Sequence, residues 1–130
     1  MKALTICQPY AELIARGEKR IENRTWPTSY RGPLAIHAGK SREWLDPDEI
    51  DYPDGELVFG AVVAVADLVG CRRVEDLTGG WRDHEHAHGP WCWLLANVRR
   101  LPTPVPMRGA QGLWDAPIEC AERGEGGDAA

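Results

Sequence analysis

The chain has 130 residues and a formal net charge of −5. That length fits one domain able to bury its own core without disulfides or metal, and no stretch reaches the roughly 18 consecutive apolar residues of a membrane span. The N-terminal apolar run breaks at Gln8-Pro9, without the length or cleavage pattern of a secretory leader, so a cytoplasmic protein with no membrane partner is expected.

In chain order, residues 2–7 form a short apolar run that reads as a strand. Pro9 suits the first turn of a helix. Leu13 and Ile14 follow Tyr10 at helical spacing, and Gly17 is placed to end that helix. Residues 20–26 alternate: Arg20, Glu22, Arg24 and Trp26 share one face of a strand that Pro27 ends. Tyr30 to Pro33 reads as a turn, and residues 34–38 as a further strand carrying His37. Ser41 is placed to cap a short helix over 42–45, before an acidic loop over 46–55. Residues 57–69, rich in valine and apolar on both faces, predict a strand buried on both sides.

Residues 74–77 suggest a helical turn, 79–90 a polar, His-rich loop, and 92–100 another strand. Pro102, Pro104 and Pro106 mark an extended edge or crossing segment. Gly112 to Asp115 reads as a tight terminal turn. Residues 1–118 are therefore expected to form the domain and 119–130 a disordered acidic tail. Short strands, few short helices and Gly/Pro punctuation suggest a small closed or half-closed sheet.

Charge is uneven. Residues 1–42 carry eight Lys/Arg against three Glu, while residues 43–56 carry seven acids and no base. A basic N-terminal third can bind a polyanion locally in an acidic protein. Cys7, Cys71, Cys92 and Cys120 form no C-x-x-C pair, so idle or buried thiols are expected rather than a zinc site. His84-Glu85-His86-Ala87-His88 fits H-E-x-x-H in letters, but Gly79-Gly80 and Gly89-Pro90 bracket it and disfavour the helix that motif needs. No metal and no cofactor are expected.

Glu22 and Arg24, two apart on a strand, emerge about 7 Å apart on one face. They offer an acceptor and a fork of donors, the mixed pattern that a nucleobase edge or a phosphate takes. Lys19, just after the Gly17 turn, is within reach of the same place, and Trp26 on the same face is a candidate stacking ring. The plainer alternative is a solvated strand face with a modest ion pair. His37, the one histidine in an apolar strand, is either a core group or a ligand contact. Of the six tryptophans, most are expected in the core or at its rim. Arg99, Arg100 and Arg108 are candidates for a basic rim.

Four segments in this order carry a family resemblance: Gln8-Pro9-Tyr10-Ala11, the G-x-K-x-x-E-x-R spacing of Gly17, Lys19, Glu22 and Arg24, the run from Arg31 to Ala38, and Gln111-Gly112-Leu113-Trp114-Asp115. Over residues 2–116 the chain resembles the ASCH domain family, bacterial and phage type. The resemblance implies a mainly β fold, a PUA-like β-barrel with short flanking helices, and a cleft beside the first helix and the following strand. Related domains bind RNA or hold a modified base, and some ASCH proteins are described as amidohydrolases on acylated cytidine or as ribonucleases.

The expected function is therefore recognition of RNA, a single-stranded nucleic acid or a nucleotide. The expected ligand-binding residues are Gln8, Tyr10, Lys19, Glu22, Arg24, Trp26, His37 and Trp114. One alternative is a hydrolase with Lys19 and Glu22 as catalytic groups; a weaker one is a protein-interaction module. The amidohydrolase branch implies a threonine three residues after the lysine, where Glu22 stands, and a glutamate on the central strand, where Asp67 is the nearest acid. Binding therefore ranks above amide hydrolysis.

Overall fold

The computed structural model describes residues 1–45 and 57–118. Within them the chain is mainly β: a single six-stranded sheet curled into a half-barrel, with few and short helices. The strands are β1 (Lys2–Ile6), β2 (Ile21–Arg24), β3 (Gly32–Ala38), β4 (Ala61–Arg73), β5 (Trp91–Pro106) and β6 (Leu113–Asp115). Their order is β2-β5-β4-β3-β1-β6, antiparallel throughout except for the parallel pair β1 and β3. Helix α1 (Tyr10–Ala15) packs on β3, β4 and β5, and α2 (Gly79–Arg82) is a single turn.

Period-two alternation builds the core on both faces of the sheet. Leu4 and Ile6 of β1 join Leu34, Ile36 and Ala38 of β3 in the main core, beneath Ile14 of α1. The intervening Ala3 and Ala35 face the other way, onto Val62, Val65 and Ile118. Hence β4, as its apolar sequence predicts, is buried on both faces over its first half. A smaller cluster of Ile21, Leu77, Cys92 and Leu94 anchors β2 to the far end of β5.

Several boundaries differ from expectation. The expected helix over 42–45 is a single turn, closed by Leu45 N–H onto Arg42 O at 3.2 Å. The proline segment is not a separate piece: β5 runs unbroken through Pro102, Pro104 and Pro106. The prolines are accommodated because β2 pairs only with Trp91 to Leu94, which leaves the later part of β5 with β4 as its one neighbour. Leu113 to Asp115 is not a turn but an edge strand paired with β1. The acidic loop and the C-terminal tail lie outside the described residues, as does Cys120. No described helix is long and apolar enough to cross a membrane.

Candidate functional site

Curling of the sheet makes the site. In strand order β2 and β1 are separated by β5, β4 and β3. Yet Arg24 of β2 donates from Nη2 to the carbonyl oxygen of Thr5 on β1 at 2.9 Å. The two strands therefore face each other across the open side of the half-barrel, and the cleft lies between them.

Three ionic groups meet there, all from the Gly17–Arg24 motif. Gly17, at φ +81°, takes the left-handed conformation that ends α1 and turns the chain back. Lys19 then points inward. It is 3% exposed; its Nζ stands 3.4 Å from Glu22 Oε1 and also donates to Ile21 O. The other oxygen of Glu22 accepts from Arg24, with Nε at 3.1 Å and Nη2 at 3.0 Å. One carboxylate thus sits between two cations. Among the described residues Arg24 Nη1 faces no protein acceptor. Burial, the largest influence, pushes the Lys19 ammonium below the usual lysine range and Arg24 pushes the same way, against the opposing pull of Glu22.

The cleft has two lobes that share Cys7, Tyr10, Glu22 and Asn23. The first, about 610 Å³, has Lys19 at its base, the rings of Tyr10 and Trp44 on its walls, and Glu85, His86 and His88 opposite. The second, about 530 Å³, is lined by Arg24, Lys40 and Trp26, with Glu22 as its one carboxylate among the described residues. Tyr10 lies 5.8 Å from Lys19 Nζ, measured to the ring centroid. Burial raises the Cys7 thiol, helped by the Glu22 charge, and lowers His86, helped by the Lys19 charge.

Asn23 was not singled out from the sequence. Its Nδ2 donates to His86 O at 2.9 Å, and its Oδ1 accepts from the backbone N–H groups of His88 and Gly89 at 3.0 and 2.8 Å. One amide on β2 therefore holds the His-rich loop against the cleft. Arg20 N–H adds a bond to His84 Nε2 at 3.1 Å. Helix α2 ends at Arg82, so the histidines occupy no helix face. Among the described residues no three His, Cys, Asp or Glu side chains gather as ligands for an ion. Trp44, 58% exposed, is the other wall that sequence reading did not assign.

Tyr10, Lys19, Glu22, Arg24 and Trp26 are thus brought together. Trp26 also packs edge-on against Trp93, ring centroids 4.7 Å apart. Gln8 is not in the cleft. It is fully buried, donating from Nε2 to Val58 O and accepting the Glu12 N–H on Oε1, at 2.8 and 2.9 Å. Its amide is consumed in holding the start of α1. His37 and Trp114 are also set apart: Trp114 Nε1 donates to Thr5 Oγ1 at 3.1 Å, and His37 Nδ1 stands 3.2 Å from the same hydroxyl. Arg99 and Arg100 are not a rim, because each is paired internally, with Asp67 and Glu12 at 3.1 and 2.7 Å. Asp67 therefore serves that pair and Asn97, not the cleft.

The ASCH domain family model matches residues 4–104. Activating signal cointegrator 1 from Homo sapiens and from Mus musculus each share 24% identity over 125 residues, covering 85% of this chain and 21% of the relative. The chain thus spans about a fifth of the length of the curated relatives it matches. Among solved structures, the ASCH protein from Zymomonas mobilis aligns with TM-score 0.49 at 16% identity, covering 81% of this chain and 72% of that one. A point mutant of the same protein aligns with TM-score 0.48 at 16% identity, covering 81% and 74%.

Proposed function

The chain belongs to the ASCH domain family, and on that premise we propose that it is a nucleotide- or RNA-binding module whose ligand occupies the cleft around Lys19, Glu22 and Arg24. The observation that carries this reading is the division of the cleft. Its first lobe has two aromatic walls, Tyr10 and Trp44, over a buried lysine–carboxylate pair. Its second lobe has Arg24 and Lys40 with one carboxylate among the described residues, and that carboxylate is already neutralised. A base fits the first environment, where ring stacking is worth about 1–3 kcal/mol. A phosphate fits the second, where Arg24 Nη1 and the Lys40 ammonium supply charge-assisted donors. Glu22, shared by both lobes, accepts from an exocyclic amino group.

Hydrolysis in the same cleft is a second reading, and one observation favours it. Burial lowers Lys19, the direction a lysine needs to act as a base or to steady a developing oxyanion. Glu22 would then activate water. Two things weigh against it: Glu22 stands where a hydroxyl nucleophile would be wanted, and Asp67 is engaged elsewhere.

The test is a panel of single-stranded RNA, single-stranded DNA and acylated nucleosides, scored for both binding and product. A binding module returns its ligand intact, with affinity falling as salt rises. Turnover that vanishes in Glu22→Ala while binding persists would replace this reading with the hydrolase. No binding to any member of the panel would leave a protein-interaction role.

A further inference from the structure

Beside the second lobe lies a separate cavity of about 450 Å³. The two share Thr5, Gly39 and Lys40. The stem of Lys40 crosses Gly60 at that junction, where a Cβ would come 2.9 Å from Lys40 Cε.

The far wall is the loop between β5 and β6. Its root is fastened twice. Met107 N–H donates to Gly60 O at 3.1 Å, and His37 Nε2–H donates to Met107 O at 2.8 Å. The loop then passes so close over Thr5 and His37 that a Cβ on Gly109 would lie 2.6 Å from Thr5 Oγ1 and 2.7 Å from His37 Cε1. Beyond the root, Arg108 lies exposed at the cavity, with no acid among the described residues that line it. The described residues lining this cavity include Lys40 and Arg108 and no acid, in a protein whose net charge is −5. Two cations with no acid beside them make an environment for an anion.

We propose that this cavity is a second phosphate subsite, reached through Lys40, so that the site accepts a strand of consecutive nucleotides rather than a lone nucleotide. The proposal rests on the cleft reading above and extends it: the Arg24 end holds one phosphate and the Arg108 loop holds the next. His37, which stands outside the cleft, then acquires a role in seating that loop.

The test compares a nucleoside 5′-monophosphate with a single-stranded hexanucleotide, by calorimetry on the full chain, for wild type, Arg108→Ala, Arg108→Glu and Arg24→Ala. Arg108 is exposed, so its replacement spares the core. Arg108→Ala is expected to weaken the hexanucleotide about five- to tenfold and Arg108→Glu more, with the monophosphate unchanged. The slope of log K against log salt should become shallower by about 0.7 for the hexanucleotide. Unchanged hexanucleotide affinity in both Arg108 variants overturns the second subsite, even where Arg24→Ala weakens both ligands and so upholds the cleft. Equal weakening of both ligands by Arg108→Ala also overturns it. Arg24→Ala without effect on the monophosphate overturns the cleft reading itself.

Discussion

Glu22 is the residue on which the site turns, because it balances two cations at the wall of the cleft with 11% of its side chain exposed. Its loss would leave Lys19, 4% exposed in its side chain, charged and without a counter-ion. Removing one partner of a buried pair costs about 3–5 kcal/mol, so Glu22→Ala should lower unfolding free energy by that order in urea melts. Lys19→Met should cost much less, since Glu22 keeps Arg24; a cost equal to that of Glu22→Ala would contradict this picture. Lys19 also carries a pH signature. Its folded-state pKa is lowered, so the unfolded chain holds that proton more tightly. The resulting penalty is fully present below the folded value and is relieved as pH rises through it toward the ordinary lysine value of 10.5. Wild-type stability should therefore gain on that of Lys19→Met as pH rises toward 10.5, read as the difference between paired melts. Much of this was legible in the sequence, because the alternation of Ile21, Glu22, Asn23 and Arg24 puts carboxylate and guanidinium on one strand face. Gln8 and His37 were not: the partners that consume them, Val58 and Met107, lie 50 and 70 residues away.

Helix α1 is short, six residues, and isolated helices of that length are unstable. Two side chains tie it down. Gln8 caps the Glu12 N–H, and Glu12, itself buried, takes Arg16 at 2.8 Å and Arg100 of β5 at 2.7 Å. Gln8→Ala removes the cap and leaves the half-buried Val58 carbonyl without this partner, a loss of about 1–2 kcal/mol measurable by chemical denaturation. Burial pushes the Glu12 carboxyl up, but the hydrogen bonds from Arg100 and Arg16 outweigh it and hold it below the usual glutamate value. That stabilisation is present above the ordinary value of 4.5 and is lost as pH falls through the folded value. Glu12→Ala should thus be less stable than wild type at neutral pH, with the gap closing in acid. A gap that stays constant down to acid unfolding would mean that the carboxylate charge does nothing. Strand existence was legible here and strand ends were not. β6 is three residues, too short for periodicity, and the prolines of β5 read as a break because only the assembled sheet reveals which edge lacks a neighbour.

At the scale of the molecule, an acidic chain gathers Lys19, Arg24 and Lys40 from its basic N-terminal third around one opening. Curling does this, since it carries β2 to β1 across three intervening strands. The fold class followed from short strands and motif order. The His-rich loop lining the cleft did not, because Asn23 reaches its partners across more than 60 residues of chain. The affinity of a single-stranded oligonucleotide for wild type and Arg24→Ala, at two salt concentrations, bears most directly on the cleft. Arg24→Ala should weaken binding by at least about tenfold at low salt, with a shallower salt dependence. Equal affinity and equal salt slope for the two proteins would mean that nucleic acid, if bound at all, lies elsewhere.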